Sequence, residues 1–502
     1  MKYISTRGTA PSILSKKAII KGIAEDNGLY VPSSSPSLGP DPFSGLKGNA
    51  YAGRATEILK PFLTDYRKAE LLSACQGAYG EHFDSPLTAP VKFLSRGTAV
   101  LELWHGPTQA FKDMALQLMP RLLSLALKDE EEKYEVVILV ATSGDTGKAA
   151  LEGFANAEGV RIFVFYPHEG VSEIQRLQMV TQRGVNVGTC AVKGNFDDAQ
   201  TGVKEIFSDR AINQKLATHG FRLSSANSIN WGRLAPQVAY YFTGYDDMVK
   251  AKKIQSGQPI LICVPTGNFG NILAAYYAIQ CGLPGSRLIC ASNRNRVLSD
   301  FIRTGIYDRR REFYKTESPS MDILISSNLE RLLFELSGRQ PAVVSRWMTE
   351  LKVRGWYEIT REGLGQLQRL FYGGFADRRE TLQAIKQAFE KQGYLMDTHT
   401  AVGYGVLQKY REETGDSSPA LLASTASPFK FNQTVLEALG RDPSGKDEFT
   451  LLDELAAITG QPVPAKLAEL KSLPELHSQV CAKEEMSGAL FKFLRIGGRN
   501  FS

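Results

Sequence analysis

Val136-Val137-Ile138-Leu139-Val140-Ala141-Thr142-Ser143-Gly144-Asp145-Thr146-Gly147 joins an apolar run to a loop that contains glycine. The run shows no alternation of apolar and polar residues, which is typical of a parallel strand buried on both faces. A helical stretch over residues 147–157 follows the loop. A strand, a short loop and a helix in this order predict an α/β fold with parallel sheets.

Further runs of the same kind recur along the chain, and helical stretches separate them. The other predicted strands are Arg161–Tyr166, Ile260–Val264, Arg287–Ala291 and Ala420–Ala423, and the other predicted helices cover 173–183, 234–243 and 272–281. A chain of 502 residues exceeds one ordinary hydrophobic core, so we expect several domains. The predicted divisions are an N-terminal domain over 1–92, α/β regions over 93–250 and 251–440, the latter with a helical insertion, and a helical extension over 441–502.

The composition excludes several classes of function. The 59 basic and 53 acidic residues interleave, so no block of Lys and Arg favours nucleic acid or a membrane surface, although a net charge of +6 fits a small anionic substrate. No apolar run is long enough to span a membrane, and Met1–Leu14 lacks the apolar stretch of a signal peptide. The 6 cysteines are scattered without a CxxC pair, which favours a reducing cytoplasm. No His or Cys pair has metal-ligand spacing, so we predict no metal.

One lysine stands out in His105-Gly106-Pro107-Thr108-Gln109-Ala110-Phe111-Lys112-Asp113. Lys112 follows apolar and aromatic residues, and desolvation lowers the pKa of an amine and frees its lone pair for attack on a carbonyl. The usual carbonyl partner of such a lysine is pyridoxal phosphate (PLP), which also needs a cup for its phosphate. The segment therefore predicts a PLP lysine, with His105 either orienting the lysine loop or lining the pocket.

Two loops have the composition of anion sites. Thr142–Gly147 follows a strand and opens a helix, but it is not a nucleotide P-loop, because Thr142 replaces the first glycine and Ala149 replaces the hydroxyl residue that would hold magnesium. Taken alone, it is equally well explained as a capped strand-to-helix turn. Gly267-Asn268-Phe269-Gly270-Asn271 also follows a strand, and its two glycines allow backbone amides to converge on a phosphate. Two such turns at equivalent strand ends favour ligand binding.

Two other polar segments have simpler explanations that we favour when each is taken alone. Ser225–Arg233 precedes a helix, and Arg233 is either a fork for phosphate or carboxylate or an exposed arginine beside a helix cap. His399, in Asp397–Thr400, is either a general base or a hydrogen-bonded loop histidine.

The chain as far as about residue 435 resembles the threonine synthases in their microbial form, which are PLP enzymes of fold type II. The segments that carry the resemblance are Tyr3–Gly8, Gly28–Pro32, His105–Asp113, Thr142–Gly147, Pro265–Asn271, Asn227–Arg233 and Ser424–Phe431. The resemblance implies a fold like that of the tryptophan synthase β chain, with two parallel-sheet domains and an N-terminal α-rich domain.

The resemblance also implies a role for each site residue. Lys112 would bond PLP covalently, and Thr425 would face the pyridine nitrogen. The cup for the cofactor phosphate would consist of Gly267, Asn268, Phe269, Gly270 and Asn271. The loop near the substrate carboxylate and the cofactor ring would consist of Ser143, Gly144, Asp145 and Thr146. Asn227, Ser228 and Arg233 would hold the substrate phosphate.

The implied activity is the last step of threonine biosynthesis, in which O-phospho-L-homoserine and water become L-threonine and phosphate. Two alternatives stay open. The first is a phospholyase that converts a related phosphorylated amino acid to a 2-keto acid, ammonia and phosphate, since it would share the lysine, the cofactor and the anion loops. The second is a non-catalytic PLP-binding protein, against which Lys112 and the two complete loops argue.

Overall fold

The structure is a computed structural model and describes residues 1–142, 144–169 and 171–496. The strands are β1 Lys2–Ser5, β2 Ile13–Leu14, β3 Tyr30–Pro32, β4 Val91–Phe93, β5 Thr98–Glu102, β6 Glu135–Ala141, β7 Val160–Pro167, β8 Val187–Val192, β9 Phe221–Ser224, β10 Ile260–Pro265, β11 Gly285–Ser292, β12 Ile306–Asp308, β13 Trp356–Glu358, β14 Phe371–Phe375, β15 Ala420–Ser424 and β16 Val480–Cys481.

The helices occupy most of the intervals between these strands. They are α1 Ser15–Lys21, α2 Tyr51–Leu59, α3 Lys68–Ala78, α4 Asp113–Leu116, α5 Met119–Lys128, α6 Asp145–Phe154, α7 Glu173–Val180, α8 Phe196–Ser208, α9 Arg210–Thr218, α10 Trp231–Lys250, α11 Gly270–Gln280, α12 Val297–Thr304, α13 Leu329–Leu336, α14 Pro341–Arg354, α15 Arg361–Leu370, α16 Arg378–Gln392, α17 Thr398–Thr414, α18 Asn432–Ala438, α19 Glu448–Thr459, α20 Ala465–Ala468 and α21 Met486–Phe493. Short 3-10 turns lie at Ser44–Leu46, Pro319–Met321, Pro428–Phe431, Glu469–Ser472 and Lys483–Glu485. Within the described part of the chain, no helix has the length and apolarity that a bilayer crossing requires.

Two sheets carry the architecture, and the α/β prediction is confirmed. A five-stranded sheet has the order β16-β8-β7-β6-β9 with every pair parallel. A six-stranded sheet has the order β14-β11-β10-β15-β5-β4, in which only β4 is antiparallel to its neighbour. The central strands β5, β8, β10 and β15 are buried along their whole length, as expected for strands covered on both faces.

The order of the strands in each sheet differs from their order in the chain. Two strands also pair with partners outside the domain ranges that were predicted from the sequence. Strand β5 pairs with β15 in the six-stranded sheet, although the predicted 93–250 region also contains β6 to β9 of the other sheet. Strand β16 lies in the predicted C-terminal extension and pairs with β8. The division into domains stays a prediction, but the lysine segment after β5 starts from the six-stranded sheet.

One stretch changes from helix to strand within an apolar pattern of helical spacing. The pattern covers residues 364–372, whereas α15 ends at Leu370 and β14 begins at Phe371. The chain becomes a strand here because Phe371–Phe375 pairs with β11. Gly373 also permits close packing against α12, since a Cβ there would lie 2.7 Å from the Ser299 carbonyl oxygen. The tertiary pairing outweighs the local helical pattern.

The N-terminal region forms a small antiparallel sheet, β2-β1-β3, together with helices α1 to α3. Tyr3 packs against Trp231 with ring centroids 5.1 Å apart, and Trp231 opens the buried helix α10. The buried Arg331 guanidinium donates from Nε to the Tyr30 carbonyl at 3.0 Å and from Nη2 to the Ile229 carbonyl at 2.6 Å. The N-terminal region therefore packs against the segment that precedes α10 and against the start of α10. Arg233 lies in the first turn of that helix.

Candidate active site

Five of the segments selected from the sequence follow the carboxyl ends of parallel strands. The lysine segment follows β5, the Thr142–Gly147 loop follows β6, Ser225–Arg233 follows β9, the glycine loop follows β10 and Thr425 follows β15. Parallel strands place their carboxyl ends at one edge of a sheet, where open α/β folds bind ligands. The edges of the two sheets meet, because Lys112 from one lies 3.4 Å from Asp145 on the other.

Lys112 is only 8% exposed, and its amine lies between two oxygen atoms. Its Nζ donates to Ser320 Oγ at 3.0 Å and lies 3.4 Å from Oδ2 of Asp145. Burial lowers the pKa of the Lys112 amine; Asp145 opposes this, while the Lys430 and Arg233 cations add to it. A buried amine with a lowered pKa is the form of lysine that attacks carbonyl groups.

The carboxylate of Asp145 is in contact with the amines of three lysines. Its Oδ1 lies 2.5 Å from Lys430 Nζ and 3.0 Å from Lys148 Nζ, in addition to the contact with Lys112. Burial alone would raise the pKa of Asp145, but the Lys430, Lys148 and Lys112 cations outweigh it and hold that pKa well below its usual range. Burial and the Lys430 cation lower the pKa of Lys148 well below its usual range, although Asp145 opposes this. Three buried amines have more N–H groups than one carboxylate accepts, which favours an anionic ligand.

Lys148 and Lys430 were not predicted as site residues. Each nevertheless lies within or directly beside a segment that the sequence analysis quoted, since Lys148 follows Gly147 and Lys430 lies in Ser424–Phe431. Asp145 and Lys430 are 285 positions apart in the chain, so no local sequence pattern could predict that they are in contact.

The glycine loop holds an amide group without a partner. Asn271 accepts hydrogen bonds through Oδ1 from the hydroxyls of Tyr240, at 2.7 Å, and Tyr241, so its Nδ2 donor points the other way. That Nδ2 is buried and has no hydrogen-bond partner among the described residues. It lies in the first turn of α11, where the helix N-terminus also favours an anion.

The two glycines of this loop have different surroundings. Gly267 is required by packing, because a Cβ there would lie 2.3 Å from the Ser320 carbonyl oxygen. A Cβ at Gly270 would make ordinary contacts, the nearest with Asn328 Nδ2 at 3.5 Å, so packing does not require glycine there. Between them, Phe269 adopts the left-handed backbone, with φ of 64°.

Arg233 is buried, which makes the interpretation as an exposed arginine wrong. It is 3% exposed, and its Nη1 donates to the Ala226 carbonyl at 2.6 Å. Its Nε is buried and has no partner in the described parts of the chain. Burial lowers the pKa of Arg233 to about 10, and the guanidinium forms no salt bridge with a described carboxylate. A buried cation with a free donor is suited to a phosphate or carboxylate.

The structure brings the Arg233 segment beside the glycine loop. Asn328 Nδ2 donates to the Ser228 carbonyl at 3.0 Å and to the Asn268 carbonyl at 3.1 Å. Ser327 Oγ lies 3.3 Å from both Ser228 Oγ and Asn268 Oδ1. The side chains of Asn227 and Asn268 are exposed. Two predicted anion sites are therefore neighbours at one sheet edge.

The remaining predicted residues are distributed around the lysine. Thr425 is 6% exposed, and its carbonyl accepts from the Phe111 amide at 2.8 Å, which joins β15 to the lysine segment. Gly144 is buried and Thr146 half-buried in the turn that carries Asp145. Ser143 lies outside the described residues.

The two histidines singled out from the sequence have structural partners. Nε2 of His399 accepts from the Ser320 amide at 3.1 Å and Nδ1 lies 2.9 Å from Asp397, so the histidine is hydrogen-bonded as predicted and no free nitrogen remains for a general base. It lies in the first turn of α17, however, and not in a loop. Both ring nitrogens of His105 face carboxylates, Nδ1 that of Asp84 and Nε2 that of Glu102 at 2.9 Å. Burial lowers the pKa of His105, but Asp84 and Glu102 outweigh it and raise that pKa to about 9.

The arrangement fits PLP. A buried amine with a lowered pKa suits the aldehyde of the cofactor, and the unpartnered Asn271 Nδ2 at a helix N-terminus suits its phosphate. Among the described residues, no group of three or more His, Cys, Asp or Glu side chains is arranged to hold a metal ion. The fold and the site together define a PLP-dependent enzyme of fold type II.

Comparison with known proteins specifies the family. Three family models match consecutive or overlapping parts of the chain: "Threonine synthase N terminus" over residues 2–79, "Pyridoxal-phosphate dependent enzyme" over 98–425, and "Threonine synthase, C-terminal" over 400–487. Threonine synthase of Pseudomonas aeruginosa is 39% identical over 449 residues, which are 88% of this chain and 92% of that protein. Human threonine synthase-like 1 is 38% identical over 96% of this chain, which spans 67% of that longer protein.

Solved structures agree. The crystal structure of PLP-bound threonine synthase from Brucella melitensis has a TM-score of 0.87 and 36% identity, covering 99% of this chain and 100% of that one. Threonine synthase from yeast has a TM-score of 0.87 and 31% identity, covering 98% and 99%. The chain belongs to the threonine synthase family of PLP-dependent lyases, and PLP is its cofactor.

Proposed function

We propose that this chain converts O-phospho-L-homoserine and water to L-threonine and phosphate. The observation that carries the proposal is the presence of two separate buried donors without partners, Asn271 Nδ2 and Arg233 Nε. PLP brings one phosphate and needs one such site, to which we assign Asn271, because its loop packs through Gly267 against the Ser320 turn that contacts Lys112. The cation at Arg233 is then available for a second phosphate, that of the substrate.

Lys112 is the residue to which we assign the covalent bond with PLP and the proton transfers. When bound, PLP supplies an aldehyde for bonding to amines and a conjugated ring that stores the electrons released at Cα. The overall reaction breaks the Cγ–O bond to phosphate and forms a Cβ–O bond with water, while Cβ loses one proton and Cγ gains one. The lowered pKa of the Lys112 amine suits a group that takes up and returns protons.

The positive cluster around Asp145 is assigned to the substrate carboxylate. Lys430 and Lys148 lie within 3.0 Å of Asp145 and keep these contacts once Lys112 is bonded to PLP. Asp145 holds the two amines in place, and their remaining N–H groups can donate to one carboxylate. Gly144 and Thr146 in the same turn would contribute hydrogen-bonding groups.

Arg233, Ser228 and Asn227 are assigned to the substrate phosphate. The buried Arg233 guanidinium can donate from Nε, and the exposed Asn227 side chain can close over a bound phosphate. Fixing the substrate at both ends aligns Cα with Lys112 and Cγ with Arg233. Exclusion of water from this buried arrangement strengthens each charge-assisted contact. The buried free thiols of the described residues support a cytoplasmic location, which we include in the proposal.

The test is product analysis with PLP-loaded protein and O-phospho-L-homoserine. L-threonine and phosphate in equal amounts are the expected products. Formation of 2-oxobutyrate, ammonia and phosphate would instead identify a phospholyase, and bound PLP with no turnover of this substrate would favour a non-catalytic binding protein. L-homoserine without phosphate is the matched control, and we expect no reaction with it, because it cannot bind Arg233 as an anion.

A further inference from the structure

Ser320 is the residue nearest to the reactive amine that no sequence argument selected. It lies in the 3-10 turn Pro319–Met321, between β12 and α13, and is half-buried. Its Oγ accepts a hydrogen bond from Lys112 Nζ at 3.0 Å, which is shorter than the 3.4 Å contact of that amine with Asp145. The amine of Lys112 therefore has a defined hydrogen-bond acceptor when it is not bonded to PLP.

The backbone of Ser320 is held on two sides. On one side, the Gly267 Cα lies so close that an added Cβ would be 2.3 Å from the Ser320 carbonyl oxygen. On the other side, the Ser320 amide donates to Nε2 of His399 at 3.1 Å. The turn itself is anchored through Ser318, whose Oγ accepts from Asn293 Nδ2 at 2.9 Å. Ser320 is thus fixed between the glycine loop and α17.

The contact with Ser320 also determines the protonation of His399. A backbone amide can only donate, so Nε2 of His399 must be an unprotonated acceptor, and the proton lies on Nδ1, which faces Asp397 at 2.9 Å. His399 is 2% exposed and Asp397 is fully buried. Asp397 and His399 together form a buried support that orients the Ser320 backbone.

We propose that Ser320 is a positioning residue that holds the free amine of Lys112 in the orientation from which it reacts, and that His399 acts on Lys112 only through Ser320. The inference rests on the proposed role of Lys112 as the PLP lysine. When an N–H of the amine is directed at Ser320 Oγ, its lone pair is left pointing elsewhere and free to attack. Asp145 stabilises the ammonium form, whereas the neutral hydroxyl of Ser320 accepts from either form.

The experiment measures how fast the apoprotein captures PLP as a function of pH, with no substrate present. Borohydride reduction and peptide mapping confirm that Lys112 is the site of capture. For Ser320→Ala we expect the capture rate to fall about tenfold at every pH, the effect of one lost hydrogen bond. Ser320→Thr keeps the hydroxyl and should recover most of the rate. His399→Gln offers a different acceptor to the Ser320 amide and should give an intermediate rate.

The control is Ser337→Ala. Ser337 directly follows α13, and its hydroxyl donates to the Phe334 carbonyl at 2.7 Å. This variant should capture PLP at the wild-type rate. A wild-type rate across the pH range in Ser320→Ala would overturn the proposal. A slower rate that is accompanied by a lower melting temperature and is not recovered by Ser320→Thr would also overturn it, since Ser320 would then be only structural. Because capture needs no substrate, a failure of O-phospho-L-homoserine as substrate would leave this result unaffected.

Discussion

Lys430 Nζ lies 2.5 Å from Oδ1 of Asp145, although the two residues are 285 positions apart in the chain. Lys430 follows β15 of the six-stranded sheet and Asp145 follows β6 of the five-stranded sheet, so the ion pair connects the edges of the two sheets. The two side chains are 1% and 5% exposed. A pair buried to this extent is little screened by salt, and removal of one partner leaves an uncompensated charge.

Lys430→Met should make the protein more sensitive to acid. Asp145 has a folded pKa below its usual value, so its ionisation stabilises the fold above about pH 4 and this stability is lost as the pH falls further. Loss of the Lys430 cation raises the folded pKa towards the usual value and moves the acid-unfolding midpoint to higher pH. Circular dichroism during acid titration measures it. The double variant with Asp145→Asn should show no additional shift from Lys430→Met, and an equal shift in both backgrounds would contradict the pairing.

Lys112→Ala should abolish turnover, because it removes both the bond to PLP and the base. The melting temperature should stay near that of the wild type, since the substitution also removes an amine that is buried at a cost. Borohydride reduction of the wild-type holoprotein, followed by peptide mapping, should label Lys112. A label on the neighbouring Lys148 or Lys430 would refute the assignment. Lys128→Ala, at an exposed lysine, is the control and should keep full activity.

Asn271→Ala should weaken the retention of PLP, because it removes the unpartnered Nδ2 donor. It also removes the acceptor of Tyr240 and Tyr241, so some loss of stability is expected. Asn271→Asp separates the two effects: it keeps an acceptor for the tyrosines but places a negative charge towards the phosphate. Dialysis of both variants, followed by visible absorbance, should find PLP lost faster from Asp than from Ala. Retention equal to the wild type in both would mean that Asn271 does not face the phosphate.

Arg233→Ala should impair use of the phosphorylated substrate and leave the visible spectrum of bound PLP nearly unchanged. Loss of one charge-assisted contact to a desolvated phosphate costs about 2–4 kcal/mol, or about 30- to 1,000-fold in kcat/KM. Arg233→Lys should recover only part of this, since an ammonium lacks the planar fork. Titration with inorganic phosphate as an inhibitor gives the binding measurement. Equal inhibition constants for wild type and Arg233→Ala would remove Arg233 from the substrate site.

His105→Gln should lower stability at neutral pH and have little effect above about pH 9. The folded pKa of His105 is raised to about 9, above the unfolded value of about 6.5. The stabilisation by Asp84 and Glu102 is therefore complete below about pH 6.5 and is lost as the pH rises through about 9. Melting temperatures measured from pH 6 to 10 should converge for the two proteins at the alkaline end. A constant difference across this range would exclude a charged His105.

The lysine segment and the loops were predictable because their signals are local. An apolar run without alternation, followed by glycine and cap-forming residues, specifies a buried strand and the turn after it, and β6, β10 and β15 appear where these runs lie. The burial of Arg233 was not predictable in this way. An arginine at the start of a helix has the same local sequence whether the rest of the chain buries it, as it does Arg233, or leaves it exposed.

The sequence by itself determined the α/β class and the loops that end the strands, and it predicted PLP and the lysine that we propose to bond it, because backbone conformation and residue chemistry depend on neighbours in the chain. Only the tertiary structure decided that Lys430 pairs with Asp145, that Ser320 receives the Lys112 amine and that His399 supports Ser320. These contacts arise because β5 pairs with β15 and not with β6, which brings segments hundreds of residues apart to one edge. The free energy that selects this pairing comes from burial of whole strand faces, and no short stretch of sequence contains it.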